Sequence, residues 1–141
     1  MKKLVRESLV EEPYVDYEEH EPEIDQDGTK RWYDEYGRFH REDGPAIERL
    51  GGTKEWYING ELHREDGPAV IWSDGTKEWY INGQKHREDG PAIEYASGTK
   101  AWYINGQKHR EDGPAVIWSD GTNEWWLDDE RQPDYFGNKR K

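Results

Sequence analysis

The chain has 141 residues, 31% of them hydrophobic and 37% charged, with a net charge of −12 and no cysteine. That charge opposes binding to DNA phosphates or anionic membranes, and the missing cysteine excludes a disulfide framework and thiolate chemistry. So polar a composition is typical of disorder, but eight Trp, nine Tyr and two Phe gather the apolar surface into a few large rings, which points to a thin or extended folded structure.

Residues 1–27 form an acidic arm with three basic and ten acidic side chains. Tyr14 and Tyr17 stand among its carboxylates. They are candidate binding residues, in an arm suited to adding a strand or wrapping a partner. Met1–Glu12 lacks the apolar stretch of an export signal, and no apolar run nears the ~20 residues of a membrane span. The expected location is therefore the cytoplasm, or the host cytoplasm for a viral protein.

Residues 28–130 are a five-copy repeat. The string His-Arg-Glu-Asp-Gly-Pro-Ala begins at His40, His63, His86 and His109, each step being 23 residues. The string Gly-Thr-Lys/Asn-x-Trp begins at Gly28, Gly52, Gly75, Gly98 and Gly121, with a first step of 24 residues. Self-similarity at such a period signals a repeat architecture with atypical terminal copies. Asn59-Gly60, Asn82-Gly83 and Asn105-Gly106 suit two-residue type I′ hairpins. Asp74-Gly75 and Asp120-Gly121 read the same way, and the Pro of Glu-Asp-Gly-Pro, which lacks an N–H, opens a strand. The predicted fold is all-β: tandem 23-residue hairpins in an elongated, twisted, single-layer antiparallel sheet, without helix.

Turn chemistry sets the predicted register. The Asp74-Gly75 turn pairs Trp72 with Lys77 and Val70 with Trp79, and the Asn82-Gly83 turn pairs Ile81 with Gln84, Trp79 with His86 and Glu78 with Arg87. One face then carries Val70, Trp72, Lys77, Trp79, Ile81 and His86, and the other Ile71, Glu78, Tyr80, Lys85 and Arg87. Trp56, Trp79 and Trp102 with His63, His86 and His109 form a structural ladder in this reading. Residues 131–141 close the chain as a basic tail with four basic and one acidic side chain.

Trp-Tyr-Ile-Asn-Gly-x-x-His at 23-residue spacing over roughly residues 28–130 resembles MORN repeats and their bacterial and viral variants. The sequence departs from that pattern in placing Arg41, Arg64, Arg87 and Arg110 after the His, where the family has Gly. The His-Arg-Glu-Asp-Gly-Pro-Ala form resembles repeats of uncharacterised phage and large-virus proteins. The resemblance implies scaffolding and protein contact. Lipid binding, which it implies for some members, runs against a charge of −12.

The repeated residues offer little chemistry. Equivalent His residues lie a full repeat apart, about 10 Å or more given ~4.8 Å per strand, too far to share a zinc ion. The Glu-Asp pairs (Glu42-Asp43, Glu65-Asp66, Glu88-Asp89, Glu111-Asp112) supply too few oxygens for calcium. Asp before Gly is ordinary turn chemistry. A glycosidase dyad would be a unique pair. The repeated His-Arg could grip phosphate, but this register sets Arg64 and Arg87 opposite Glu55 and Glu78. No catalytic residue, metal or cofactor is expected.

Function is expected where the copies differ. Arg49, Trp72, Tyr95 and Trp118 are equivalent, as are Glu48, Ile71, Glu94 and Ile117. Ala101 replaces the Glu55, Glu78 and Glu124 of other copies, which on this reading leaves Arg110 unpaired and makes a patch of Tyr103, Lys108, Arg110 and Ile117. The candidate binding residues are therefore Tyr14, Tyr17, Tyr103, Lys108, Arg110, Ile117, Trp72 and Trp118. The expected function is a non-catalytic protein-binding or scaffolding module of phage or bacterial origin, capable of inhibiting a host factor. Its partner would be a protein with a basic surface, with no direct nucleic-acid or membrane contact, and bare sheet edges would favour a homodimer. The alternative is a small ligand, carbohydrate or nucleotide, on the aromatic face, because the hairpins also resemble cell-wall choline- and glucan-binding repeats.

Overall fold

The computed structural model describes residues 21–134. The candidate residues Tyr14 and Tyr17 lie outside them, as does most of the basic tail. Among the described residues the protein is all-β, without helix. The strands are β1 (Glu23–Ile24), β2 (Lys30–Arg31), β3 (Ile47–Glu48), β4 (Lys54–Glu55), β5 (Tyr57–Ile58) and β6 (Glu61–Leu62). They continue as β7 (Val70–Ile71), β8 (Lys77–Glu78), β9 (Tyr80–Ile81), β10 (Gln84–Lys85), β11 (Ile93–Glu94) and β12 (Lys100–Ala101). The last are β13 (Tyr103–Ile104), β14 (Gln107–Lys108), β15 (Val116–Ile117), β16 (Asn123–Leu127) and β17 (Glu130–Gln132).

Eleven strands form one antiparallel sheet in the order β1-β2-β3-β4-β7-β8-β11-β12-β15-β16-β17, not closed into a barrel. β5-β6, β9-β10 and β13-β14 are separate hairpins beside it. A single residue, Trp56, Trp79 or Trp102, separates each long-sheet strand from the hairpin that follows. Each copy thus adds two strands to the long sheet, a rise of about 10 Å at ~4.8 Å per strand. The sheet begins at Glu23, inside the acidic segment, and runs to Gln132.

The two turn types behave differently, and this corrects the predicted register. Asn59, Asn82 and Asn105 have φ of 52°, 50° and 51° and are followed by glycines at 80–83°, which is the type I′ turn. It pairs Ile81 with Gln84 and Tyr80 with Lys85, as the Asn-Gly motif requires. At Asp74-Gly75 only the glycine is left-handed, at 96°. Gly75 N–H donates to Trp72 C=O and Trp72 N–H to Thr76 C=O, so three residues span the turn rather than two. The Asp74 carboxylate favours this form by accepting the Thr76 N–H at 2.9 Å, the Asx arrangement that competes with a tight I′ turn. The register moves by one residue. Val70 pairs with Glu78 and Ile71 with Lys77, not Val70 with Trp79 or Trp72 with Lys77. Because side chains alternate along a strand, that step exchanges the faces. Val70, Trp72, Glu78, Tyr80 and Lys85 share one face, and Ile71, Lys77, Trp79, Ile81 and His86 the other.

Besides strand pairing and backbone hydrogen bonds, two recurring side-chain acceptors join neighbouring copies. Thr53, Thr76 and Thr99 accept through Oγ1 the backbone N–H of Ser73, Ala96 and Ser119, 20 residues on, at 3.0–3.1 Å. His40, His63 and His86 accept through Nδ1 the N–H of Asn59, Asn82 and Asn105, 19 residues on, at 2.9–3.0 Å. A net ~0.5–1.5 kcal/mol for each such bond accumulates along the array. The core is thin, as the composition requires. Ala46, Ala69, Ala92 and Ala115 are fully buried, and Ile47, Val70, Ile93 and Val116 nearly so.

Candidate functional site

Consider first the face that carries Glu78. Pairing places Arg31, Glu55, Glu78, Ala101 and Glu124 in one row, alternating with Ile47, Val70, Ile93 and Val116. An outer row, six residues earlier in each copy, reads Asp25, Arg49, Trp72, Tyr95 and Trp118. An inner row, two residues later, reads Tyr33, Tyr57, Tyr80, Tyr103 and Trp126.

Each central glutamate binds both neighbours, one through each oxygen. Oε2 accepts from the outer row: Arg49 Nε to Glu55 at 2.9 Å, Trp72 Nε1 to Glu78 at 2.6 Å and Trp118 Nε1 to Glu124 at 2.8 Å. Oε1 accepts from the inner row: Tyr57 Oη at 3.3 Å, Tyr80 Oη at 3.0 Å and Trp126 Nε1 at 2.9 Å. The first copy inverts the charges, with Arg31 donating to Asp25 at 2.6 Å. Partial burial opposes ionisation of Glu124, but the indole donors Trp126 and Trp118 hold its carboxyl below the usual range. Burial, then the charge of the adjacent glutamate, pushes the Tyr57 and Tyr80 phenols up. They stay protonated donors at neutral pH.

The outer row remains largely uncovered. Trp72, Tyr95 and Trp118 are 43%, 43% and 45% exposed; the two indoles are oriented from within by their glutamates yet accessible from outside.

The opposite face carries the repeated motif, and every residue of His-Arg-Glu-Asp-Gly-Pro-Ala has an architectural task. Since a backbone N–H only donates, the Nδ1 of His63 that accepts it carries no proton; Nε2 carries it and donates to Glu65 at 3.1 Å. The Arg87 guanidinium lies 3.8 Å over the Trp79 ring, a cation–π contact of roughly 0.5–2 kcal/mol. It also donates to Asp89 at 3.0 Å and to the Pro91 carbonyl at 3.0 Å. Gly90 leaves the space: a Cβ there would stand 2.9 Å from Arg87 Cζ. Open grooves of about 730, 480 and 900 Å³ lie between successive loops, floored by Trp56, Trp79 and Trp102. Among the described residues no group of three or more His, Asp or Glu could hold a metal ion.

The structure also separates residues that the sequence reading grouped. Tyr103 and Lys108 are paired on the first face, whereas Arg110 stacks on Trp102 in the motif face, and Ile117 pairs with Lys100 and Asn123 there. Arg64 and Arg87 do not face Glu55 and Glu78. Ala101 does not leave Arg110 unpaired either, because Arg110 binds Asp112 and Pro114 C=O, as Arg64 binds Asp66 and Pro68 C=O. What varies is a further partner: Arg41 and Arg87 also reach Glu48 and Glu94, where the other two copies have Ile71 and Ile117. The one-residue register step moves Ile117 off the first face. The arginine corrections have another cause: the Asn-Gly hairpin ends at Tyr80–Lys85, Glu78 pairs with Ile93, and Arg87 gives its N–H to Tyr103 C=O in the next copy. The sequence reading missed the glutamate clamp between the outer and inner rows. Its signal was present in the spacing: the copies with a central glutamate carry Arg49, Trp72 or Trp118 six residues earlier, and the copy with Ala101 carries Tyr95 there.

The chain matches no protein-family model, and no curated protein matches it.

Proposed function

We propose that the protein is a non-catalytic protein-binding repeat module whose contact surface is the row Arg49, Trp72, Tyr95 and Trp118. The observation that carries this reading is the composition and preparation of that row. Trp, Tyr and Arg dominate binding energy at protein interfaces. Here they occupy one equivalent position in four consecutive copies, 43–45% exposed for the rings and pinned at Trp72, Trp118 and Arg49 by a glutamate. Side chains already held in place lose less entropy on binding. The partner has a basic surface: the chain carries −12, and Asp66, Asp89 and Asp112 project with 88–90% of their side chains exposed. The residues capable of chemistry recur in every copy and are occupied by the architecture, which supports binding rather than catalysis. The resemblance to MORN-like phage and large-virus repeats supports a phage or bacterial origin, action in the cytoplasm and inhibition of a host factor.

The test is calorimetry with a partner recovered from host lysate. Trp72→Ala with Trp118→Ala should weaken binding at least tenfold, the ~1.4 kcal/mol expected of an interface anchor. Deleting residues 1–20 should slow association and flatten its salt dependence. A partner whose affinity ignores the two tryptophans, or turnover of a small substrate, would reject the reading.

The pinned indoles also favour a second reading, stacking of a carbohydrate or nucleotide on Trp72 and Trp118. Melting shifts with such ligands, lost in the same double variant, would support it.

A further inference from the structure

We propose that the copy containing Ala101 holds a binding site for an external carboxylate, which takes the place that a glutamate side chain fills in the other copies. The pattern it would complete is explicit. At Glu55, Glu78 and Glu124 one carboxylate receives an outer donor and an inner donor at 2.6–3.3 Å. Ala101 occupies the same register: it pairs with Ile93 and Val116 as Glu78 pairs with Val70 and Ile93. Its two flanking donors remain. They are the hydroxyls of Tyr95 and Tyr103, and neither makes a hydrogen bond among the described residues. Burial, above all, pushes both phenols up, so both carry a proton to donate.

The positions flanking the inner row gain positive charge along the array, from Lys85 onward. The inner-row positions beside Tyr57 are apolar, Phe39 with its ring 5.1 Å away and the paired Leu62. Those beside Tyr103 are Lys108, its strand partner, and Lys85, whose Nζ is 5.5 Å from the Tyr103 ring. The equivalent positions beside Trp126 hold Arg131, its strand partner, and Lys108, 4.2 Å from its ring, and there they flank the carboxylate of Glu124. In the Ala101 copy the cations remain and that carboxylate is missing. Two anions also act on the tyrosines: Glu78, bonded to Trp72 and Tyr80, and Asp129, which accepts the Lys108 N–H at 3.0 Å. Neither accepts a hydrogen bond from the Tyr95 or Tyr103 hydroxyl among the described residues. Two hydroxyl donors, the nearby Lys85 ammonium and an alanine where other copies carry a glutamate select a small planar anion over a neutral amide or a cation. The proposal is independent of whether the outer row binds a protein.

The probe is acetate, titrated against the full chain at constant ionic strength, with the ring signals of Tyr95 and Tyr103 followed by nuclear magnetic resonance. Both should move saturably, and acetamide should act at least about tenfold more weakly for want of charge. Ala101→Glu should abolish the response by supplying the carboxylate internally. Should that variant fail to fold, Tyr95→Phe with Tyr103→Phe, which removes both donors and keeps the rings, should abolish it instead. A capped glutamate binding more tightly than acetate would identify the natural ligand as an acidic side chain of a partner; equal or weaker binding would identify a free small acid. Equal responses to acetate and acetamide, an unchanged response in the variants, or no movement of either tyrosine signal would overturn the proposal.

Discussion

Trp72 and Glu78 stand on opposite sides of the Asp74-Gly75 turn, and the indole Nε1 donates to the carboxylate Oε2 at 2.6 Å. The two are diagonal neighbours on one face only because the turn contains three residues and pairs Val70 with Glu78. A two-residue turn would have sent them to opposite faces. The same carboxylate accepts the Tyr80 hydroxyl, so one glutamate fixes an exposed ring and a half-buried one.

Glu78→Ala should therefore leave two donors unsatisfied. The expected loss is about 1–3 kcal/mol, read from the urea midpoint. Glu78→Gln, which keeps an acceptor oxygen, should cost less. Equal losses in the two variants would show that the shape and the single acceptor oxygen that Gln keeps do not hold the donors, and that the second oxygen or the charge is required.

His86→Ala removes the acceptor of the Asn105 N–H and the donor to Glu88. Stability should fall by about 1–3 kcal/mol. In a repeat array each copy depends on its neighbours, so amide exchange should accelerate first at Asn105, across the copy boundary. Protection at Asn105 unchanged from the wild type would contradict the role given to the ring.

Gly90→Ala places a Cβ 2.9 Å from Arg87 Cζ, which displaces the guanidinium from Trp79. Crowding of this kind costs about 1–3 kcal/mol. Gly51→Ala meets nothing within 4 Å and should stay within about 0.5 kcal/mol of the wild type. Thermal melting of the two variants side by side checks the contrast.

Acid should loosen the last copy through Glu124. Its carboxyl is held below the ordinary value of 4.5 in the folded chain. A depressed folded-state pKa gives stability that is complete above the unfolded value and is lost as pH falls through the folded one. Trp118 and Trp126 both donate to this group, so their fluorescence should report the loss below the usual carboxylate range. In Glu124→Gln that component should vanish.

Much of the architecture was legible without coordinates. The 23-residue period, the Asn-Gly turns and the Pro that lacks an N–H are local features, and local sterics determine them: two consecutive residues at positive φ favour Asn-Gly, and Asp128-Asp129 makes the same kind of turn in the last copy. All-β topology and the pairing of Ile81 with Gln84 followed from these alone. The Asp-Gly turn was not decidable in this way, since Asp tolerates either a tight I′ turn or the longer Asx-supported loop. The tertiary structure chose the longer loop, in which Thr76 gives its N–H to Asp74 and receives that of Ala96 from the next copy. That choice shifted one strand by one residue and moved Trp72 beside Glu78, while the pairing of Glu78 with Ile93 and the early end of the Asn-Gly hairpin left Arg87 free to cover Trp79. Side-chain period in a strand is two, so a local ambiguity of one residue decides which face every ring and charge occupies, and only contacts between copies resolve it.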